Sequence, residues 1–160
     1  MLRIGVMVSG GGTNLQAIID KIESGYLKNC SIVTVVSSKP EVYALERAKK
    51  YNIPSVCISK KDFSLIEDYD KALIDHMEKY DVDLVVLAGF LSMLGEKFNS
   101  RYEKRIINIH PSLIPSFCGK GFYGIIPHRK AIEYGVKVTG ATVHFVELEY
   151  DSGPIILQKA

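Results

Sequence analysis

The stretch LRIGVMVSGGGTNLQAII, residues 2–19, decides the fold of this chain. Its first seven residues are mostly apolar, which is typical of a strand that is buried on both faces. Three glycines follow at Gly10–Gly12, and apolar residues then recur at helical spacing from Leu15 onward. A buried strand, a glycine-rich turn and an amphipathic helix form the opening of an α/β unit, so we predict a sheet with helices packed against it.

The following residues repeat this alternation of apolar runs and helical patterns. Further strands are predicted at 32–36, 54–59, 82–88 and 105–110, and helices near 42–48, 62–80 and 94–102. Nearly continuous apolar strands separated by helices imply a parallel sheet that is covered on both faces. We therefore expect an α/β fold, with a doubly wound, mostly parallel sheet, in a single domain over residues 1–160.

The last third of the chain does not continue this alternation of strands and helices. A loop with three glycines and three aromatic residues occupies 116–126, and its glycines permit the motion of a lid. Pro127 can open a helix that Gly135 closes. Two β-rich segments, 138–146 and 154–158, complete the pattern.

Composition narrows the class of protein. The chain has 160 residues, 47% of them hydrophobic, and no apolar run long enough to cross a bilayer. Its net charge of +2 and the lack of a Lys/Arg cluster do not favour nucleic acid as a partner. The three cysteines are widely spaced, which disfavours a disulfide framework or a zinc site. We expect a soluble cytoplasmic protein without a signal peptide, a bound metal or a membrane contact.

The glycine turn is suited to an anion. Glycines between a strand and a helix allow backbone N–H groups to point at a phosphate, which the helix dipole also favours. A dinucleotide is disfavoured, because Leu15 stands where its fingerprint needs a third glycine and Ser37-Ser38 replace the ribose-binding acid. A small phosphorylated metabolite is therefore preferred. The alternative is a purely structural turn, in which Thr13 or Asn14 caps the helix.

A polar group is expected at the end of the strand 105–110. Asn108 and His110 alternate to the same face, and Pro111 stops the strand where they emerge. An exposed turn carrying Asp151 could add a carboxylate at the same edge, favouring an imidazolium that stabilises an oxyanion and moves protons. A nucleophilic role for Cys118 is disfavoured, since no serine or cysteine is evidently paired with His110.

These motifs resemble those of a known family. The stretch 108–115, NIHPSLIP, together with 151–156, DSGPII, is similar to the signature of the folate-dependent formyltransferases. The turn 9–18, SGGGTNLQAI, resembles the branch that formylates glycinamide ribonucleotide in purine synthesis. The similarity runs from residue 2 to the end.

The resemblance implies a reaction and a set of site residues. The formyl group of 10-formyltetrahydrofolate, a cosubstrate, would pass to the amine of glycinamide ribonucleotide, with small molecules as the only partners and a monomer or homodimer as the assembly. Asn108, His110 and Asp151 would be catalytic, and Gly12, Thr13 and Asn14 would bind the ribonucleotide phosphate. The folate would lie in a mostly apolar slot formed by Leu87, Gly89, Phe90, Leu91, Met93, Leu94, Glu147, Leu148 and Tyr150.

The chain departs from the family in two places. Ser92 stands where several members carry an arginine that can meet the glutamate tail of folate. The family pattern also continues beyond Ala160 through a further strand and a carboxyl-terminal helix, so we expect this chain to be a fragment. Three alternatives follow from the resemblance: a folate-binding module without turnover, a formyltetrahydrofolate hydrolase, and a methionyl-tRNA formyltransferase. The hydrolase and the tRNA enzyme are disfavoured because each usually carries a further domain.

Overall fold

A computed structural model describes all residues from 1 to 160 and contains a single seven-stranded sheet, with helices on both of its faces. The strands are β1 (Leu2–Val8), β2 (Cys30–Ser37), β3 (Ser55–Cys57), β4 (Leu84–Leu87), β5 (Ile106–His110), β6 (Ala141–Phe145) and β7 (Ile155–Lys159). The helices are α1 (Thr13–Glu23), α2 (Tyr43–Lys50), α3 (Ile66–Lys79), α4 (Glu96–Arg101) and α5 (Ile126–Tyr134). The predicted doubly wound, mostly parallel α/β fold is confirmed.

The order of strands in the sheet is β3-β2-β1-β4-β5-β6-β7. The first five strands in this order pair in parallel, whereas β6 runs antiparallel to β5 and β7 antiparallel to β6. The chain reverses its direction of winding between β1 and β4, and ligands in open α/β sheets bind in the crevice at such a switch point. The carboxyl ends of β1, β4 and β5 therefore frame the expected site.

Alternate residues of the strands supply two separate cores. On β1, Ile4, Val6 and Val8 pack with α1 and α2, while Met7 packs with α3 and α4 on the other face. The predicted stripe of α3 is confirmed, since Tyr69, Leu73 and Met77 are fully buried. Burial of both sheet faces accounts for the nearly continuous apolar runs in the sequence.

Several predicted boundaries were too wide. The strand predicted at 54–59 forms only over Ser55–Cys57, and the strand predicted at 82–88 only over Leu84–Leu87. The helix predicted from Asp62 begins at Ile66, because a separate 3₁₀ turn occupies Lys60–Asp62. Gly135 ends α5 in the left-handed conformation (φ 87°), as predicted. No helix combines the length and the hydropathy that a bilayer span requires.

Candidate functional site

A cleft of 850 Å³ opens at the carboxyl ends of the central strands. It brings together every residue predicted to be catalytic or to bind folate, although these residues come from three distant segments of the chain. The lining includes Leu87, Gly89, Phe90, Leu91, Met93, Leu94, Asn108, His110, Glu147, Leu148, Tyr150 and Asp151. The predicted phosphate-binding residues Gly12, Thr13 and Asn14 are not among the lining residues.

His110 and Asp151 form a buried ion pair at the centre of this cleft. His110 ends β5, and Asp151 lies on the turn between β6 and β7 with a positive φ of 50°. The Nδ1 atom of His110 lies 3.3 Å from Oδ1 of Asp151, and the two side chains are only 4% and 12% exposed. The carboxylate therefore faces the ring as the sequence predicts.

The two partners shift each other's pKa toward the charged forms. Burial alone would lower the pKa of His110, but the hydrogen bond to Asp151, the Phe117 carbonyl and the charge of Asp151 outweigh it, so the pKa is raised above 6.5. Burial opposes ionisation of Asp151 as well, yet its bonds to His110 and Gly119 lower its pKa below 3.8. Both shifts favour an imidazolium beside a carboxylate.

The loop after β5 covers this pair with two backbone groups that the sequence did not reveal. Nε2 of His110 donates a hydrogen bond to the carbonyl oxygen of Phe117 at 3.0 Å, and the N–H of Gly119 donates to Oδ2 of Asp151 at 2.7 Å. Phe117 and Gly119 both have positive φ, 50° and 92°. Both N–H groups of the protonated ring are thus occupied in this conformation. A backbone contact of this kind has no signature in side-chain identity.

Asn108 is oriented by His144, a residue that sequence reasoning did not select. The antiparallel register of β5 and β6 places the two residues opposite each other. Nδ1 of His144 faces the carbonyl oxygens of Phe145 (2.8 Å) and Ser152 (3.1 Å), so it carries the proton. Nε2 is then the acceptor for the Asn108 amide at 3.1 Å. The second N–H of that amide remains available for another acceptor.

Thr142, which pairs with His110 across the same two strands, supports the start of the loop. Its hydroxyl donates to the carbonyl of Ser112 at 2.7 Å and accepts from the N–H of Ile114 at 3.1 Å. Thr142 and Ser112 are both buried. The antiparallel strand β6 thus supplies two side chains that fix the surroundings of the Asn108–His110–Asp151 trio.

The predicted folate slot consists of the segment 87–94 and the turn 147–151. Leu91, Met93, Leu148 and Tyr150 are 40–52% exposed although they are apolar or aromatic. Large apolar side chains that line a concave surface are typical of ligand pockets. Ser92 also lines the cleft, as do Lys39, Lys60 and Lys61, which the sequence did not single out. None of these lysines has a carboxylate partner.

The glycine turn is shaped by its contact with α2. Gly12 precedes α1 with a φ of 72°, and a Cβ there would lie 2.7 Å from Cβ of Ala44. The carbonyls of Gly10 and Gly11 accept bonds from the N–H of Ala44 (3.2 Å) and Nε of Arg47 (2.8 Å). The turn's carbonyls are therefore tied to α2, while the first N–H groups of α1 have no partner within their own helix.

The alternative of a side-chain cap at this turn is wrong. No side chain caps α1, and the side chains of Thr13 and Asn14 are exposed and make no hydrogen bond to the rest of the chain. Their side chains therefore do not serve the fold at this position. An exposed helix N-terminus with free N–H groups is suited to an anion.

Cys118 lies beside the pair but does not show the properties of a nucleophile. Its thiol donates to the carbonyl of Pro115 at 3.3 Å. Burial and the charge of Asp151 raise its pKa, which disfavours the thiolate. The structure also contains no group of three or more His, Cys, Asp or Glu side chains that could hold a metal ion.

Comparison with known proteins agrees with the motifs. The model of the formyl transferase family matches residues 2–160. Phosphoribosylglycinamide formyltransferase of Haemophilus influenzae is 44% identical over 158 residues, which cover 99% of this chain and 72% of that protein. The trifunctional purine biosynthetic protein adenosine-3 of Chironomus tentans is 43% identical over 158 residues, and this chain spans only 11% of its length.

Solved structures show similarity to the same group of proteins. Glycinamide ribonucleotide transformylase 1 from Symbiobacterium toebii has a TM-score of 0.91 and 41% sequence identity, covering 99% of this chain and 72% of that one. The family match extends over all three segments that bring the predicted residues into the cleft and over the glycine turn. The chain therefore belongs to the formyl transferase family.

Proposed function

We propose that this protein transfers the formyl group of 10-formyltetrahydrofolate to the amine of glycinamide ribonucleotide, a step of purine biosynthesis. The observation that carries the proposal is the buried His110–Asp151 pair beside Asn108, in a cleft lined by exposed apolar side chains. Relatives named for this activity are 41–44% identical to the chain over 157–158 aligned residues. Residues 1–160 belong to a single catalytic domain, and the chain spans 72% of the length of such a relative.

The reaction proceeds by direct attack. The amine nitrogen of the ribonucleotide bonds to the formyl carbon, and the carbonyl electron pair moves onto oxygen. Nε2–H of His110 and the free amide N–H of Asn108 hold this oxyanion, which takes the place of the Phe117 carbonyl on the imidazolium. The bond between the formyl carbon and the folate nitrogen then breaks as the carbonyl re-forms.

Asp151 has two tasks in this scheme. Its charge keeps His110 protonated, consistent with the raised pKa of the ring. Through a water molecule it also relays the proton lost by the attacking amine to the departing folate nitrogen. No covalent enzyme intermediate is needed, and Cys118 takes no part.

Each substrate has its own subsite. The pterin of the folate lies against Leu87, Gly89, Phe90, Leu91, Met93, Leu94, Glu147, Leu148 and Tyr150. Gly12, Thr13 and Asn14 bind the phosphate of the ribonucleotide at the N-terminus of α1, where Arg47 adds positive charge. With Ser92 in place of an arginine, the lysines at the cleft are the cations available to the folate carboxylates.

The cellular location, the assembly and the partners that we propose follow from this activity. The protein acts in the cytoplasm as a monomer or homodimer on small-molecule substrates. It binds neither nucleic acid nor membranes, and 10-formyltetrahydrofolate is a cosubstrate that needs no metal.

The test is an assay of the purified chain with both substrates. Folate deformylation that depends on glycinamide ribonucleotide, with formylated ribonucleotide as product, supports the proposal. Deformylation at the same rate without the acceptor would identify a hydrolase instead. Folate binding without turnover would identify an inert binding module, the second alternative.

A further inference from the structure

The segment between β4 and α4, residues 89–94, forms one wall of the cleft but has no regular structure of its own. Its backbone makes no hydrogen bond to any other backbone group. Leu94 and Phe90 pack against the core, so the remaining backbone of the segment depends on side chains for its hydrogen bonds. The N–H of Leu91 and the N–H of Gly95, which directly follows the segment, each donate to a buried side chain from another part of the chain.

Ser9 holds the first part of the segment. Its hydroxyl oxygen accepts the N–H of Leu91 at 2.8 Å and lies 2.6 Å from the hydroxyl of Ser38. Both serines are about as buried as the core, at 5% and 4% exposure. Ser9 also directly precedes the glycine turn, so one side chain joins the turn at the end of β1 to the cleft wall.

Asp70 holds the other end. This residue lies on α3 and is 1% exposed, yet its two carboxylate oxygens accept the N–H of Gly95 at 2.8 Å and of Phe98 at 3.1 Å. These are free N–H groups at the start of α4, where a negative charge is favoured by the helix dipole. The fit is close, because a Cβ on Gly95 would collide with the Asp70 carboxylate. A carboxylate from another helix thus replaces the cap that α4 lacks.

We propose that Ser9 and Asp70 are positioning residues that set the shape of the folate slot by fixing segment 89–94 at Leu91 and at its junction with α4. The inference rests on the proposed function, since the slot is named by that function. Neither residue lies in the cleft lining, so each acts through the segment and not on the substrate.

The test compares Asp70→Asn and Ser9→Ala with the control Asp68→Asn, an exposed carboxylate on the same helix. In Asp70→Asn an amide N–H faces a backbone N–H of Gly95 or Phe98, so the segment loses an anchor while side-chain volume is kept. We expect the KM for the folate to rise about tenfold in each variant, with kcat and the ribonucleotide KM changed less than twofold in Asp70→Asn. Asp68→Asn should match the unaltered protein.

Hydrogen exchange supplies a readout that does not depend on activity. Amide exchange at 89–95 should quicken in both variants, while exchange in β1 and β4 stays unchanged. Unchanged exchange at 89–95 in a folded variant, or an equal loss of kcat and both KM values, would overturn the inference. A chain that neither binds folate nor transfers formyl would refute the proposed function, and the exchange measurement would still decide the role of the two anchors.

Discussion

Two members of the trio, Asn108 and His110, lie on β5, and the glycine turn follows β1; only β4 separates these two strands in the sheet. At the trio, the side chains of His110 and Asp151 are buried and fully engaged with each other and with the loop. At the turn, the side chains of Thr13 and Asn14 are exposed and unpaired, while the backbone of Gly12 is tightly constrained. The trio is thus held by side-chain contacts and the turn by backbone contacts, so substitutions should affect them differently.

Replacing His110 should have the largest effect. His110→Asn removes the imidazolium that we assign to the oxyanion, so kcat should fall by about 10²–10⁴-fold. Binding of the ribonucleotide, measured by titration, should remain nearly unchanged because the glycine turn is intact. Normal turnover in a correctly folded variant would remove His110 from the mechanism.

The pH dependence of activity tests the role of the His110–Asp151 pair. Because the pKa of His110 is raised above 6.5, activity should persist to a higher pH than an ordinary imidazole would allow and fall as the pH rises through that pKa. In Asp151→Asn the carboxylate that raises the pKa of His110 is lost, while the burial that lowers this pKa remains. Activity should therefore begin to fall at a lower pH, and kcat should drop about 10²-fold. A kcat/KM profile with the same alkaline limb in both proteins would contradict this assignment.

The pKa shifts of His110 and Asp151 also predict how the stability of the protein depends on pH. The raised pKa of His110 contributes stability below 6.5 that is lost as the pH rises through the folded value. The lowered pKa of Asp151 contributes stability above 3.8 that is lost as the pH falls. The contribution of the pair should therefore be complete between pH 3.8 and 6.5, and urea unfolding of the protein and of Asp151→Asn should differ most in that window.

At the glycine turn the backbone is the sensitive element. Gly12→Ala adds a Cβ against Ala44 at a residue with a φ of 72°, so unfolding free energy should drop by about 1–3 kcal/mol and the ribonucleotide KM should rise. Gly11→Ala is the matched control, because a Cβ there meets nothing within 4 Å and φ is not in the left-handed region. Equal losses in the two variants would show that the contact with α2 is unimportant.

His144 tests how far the trio depends on the strand behind it. His144→Phe keeps a ring in the buried position but removes the acceptor for the Asn108 amide, so kcat should fall about tenfold. The exposed residue His128 on α5 provides the control, and His128→Phe should leave kcat within twofold. A larger loss in the control than in His144→Phe would exclude an orienting role.

The sequence reveals those parts of the molecule whose pattern is local. The alternation of strands and helices follows from apolar periodicity, and Asn108 and His110 follow from their spacing on one strand. Strand lengths are not local in this sense: β3 extends only as far as its pairing with Val35–Ser37, so the predicted strand 54–59 was too long. Where a strand ends is decided by its neighbour in the sheet.

The residues that sequence reasoning missed have partners that are distant in the chain. His144 becomes significant only through the antiparallel register that sets it opposite Asn108. Asp70 looks like an ordinary surface residue of an amphipathic helix until α4 is placed above it. The carbonyl of Phe117 acts through the backbone, so any residue type could supply it. Position in the fold, and not residue type, gives each of them its role.

The smallest change in stability is expected at Thr13, and it sharpens the contrast between the two sites. Thr13→Ala removes an exposed hydroxyl that neither caps α1 nor bonds to any other group, so the unfolding free energy should change by less than about 0.5 kcal/mol. Affinity for the ribonucleotide should still fall, because the hydroxyl is one of the groups assigned to its phosphate. Urea unfolding and ligand titration on the same preparation separate the two effects. A loss of stability without a loss of affinity would mean that the side chain serves the fold and that the phosphate lies elsewhere.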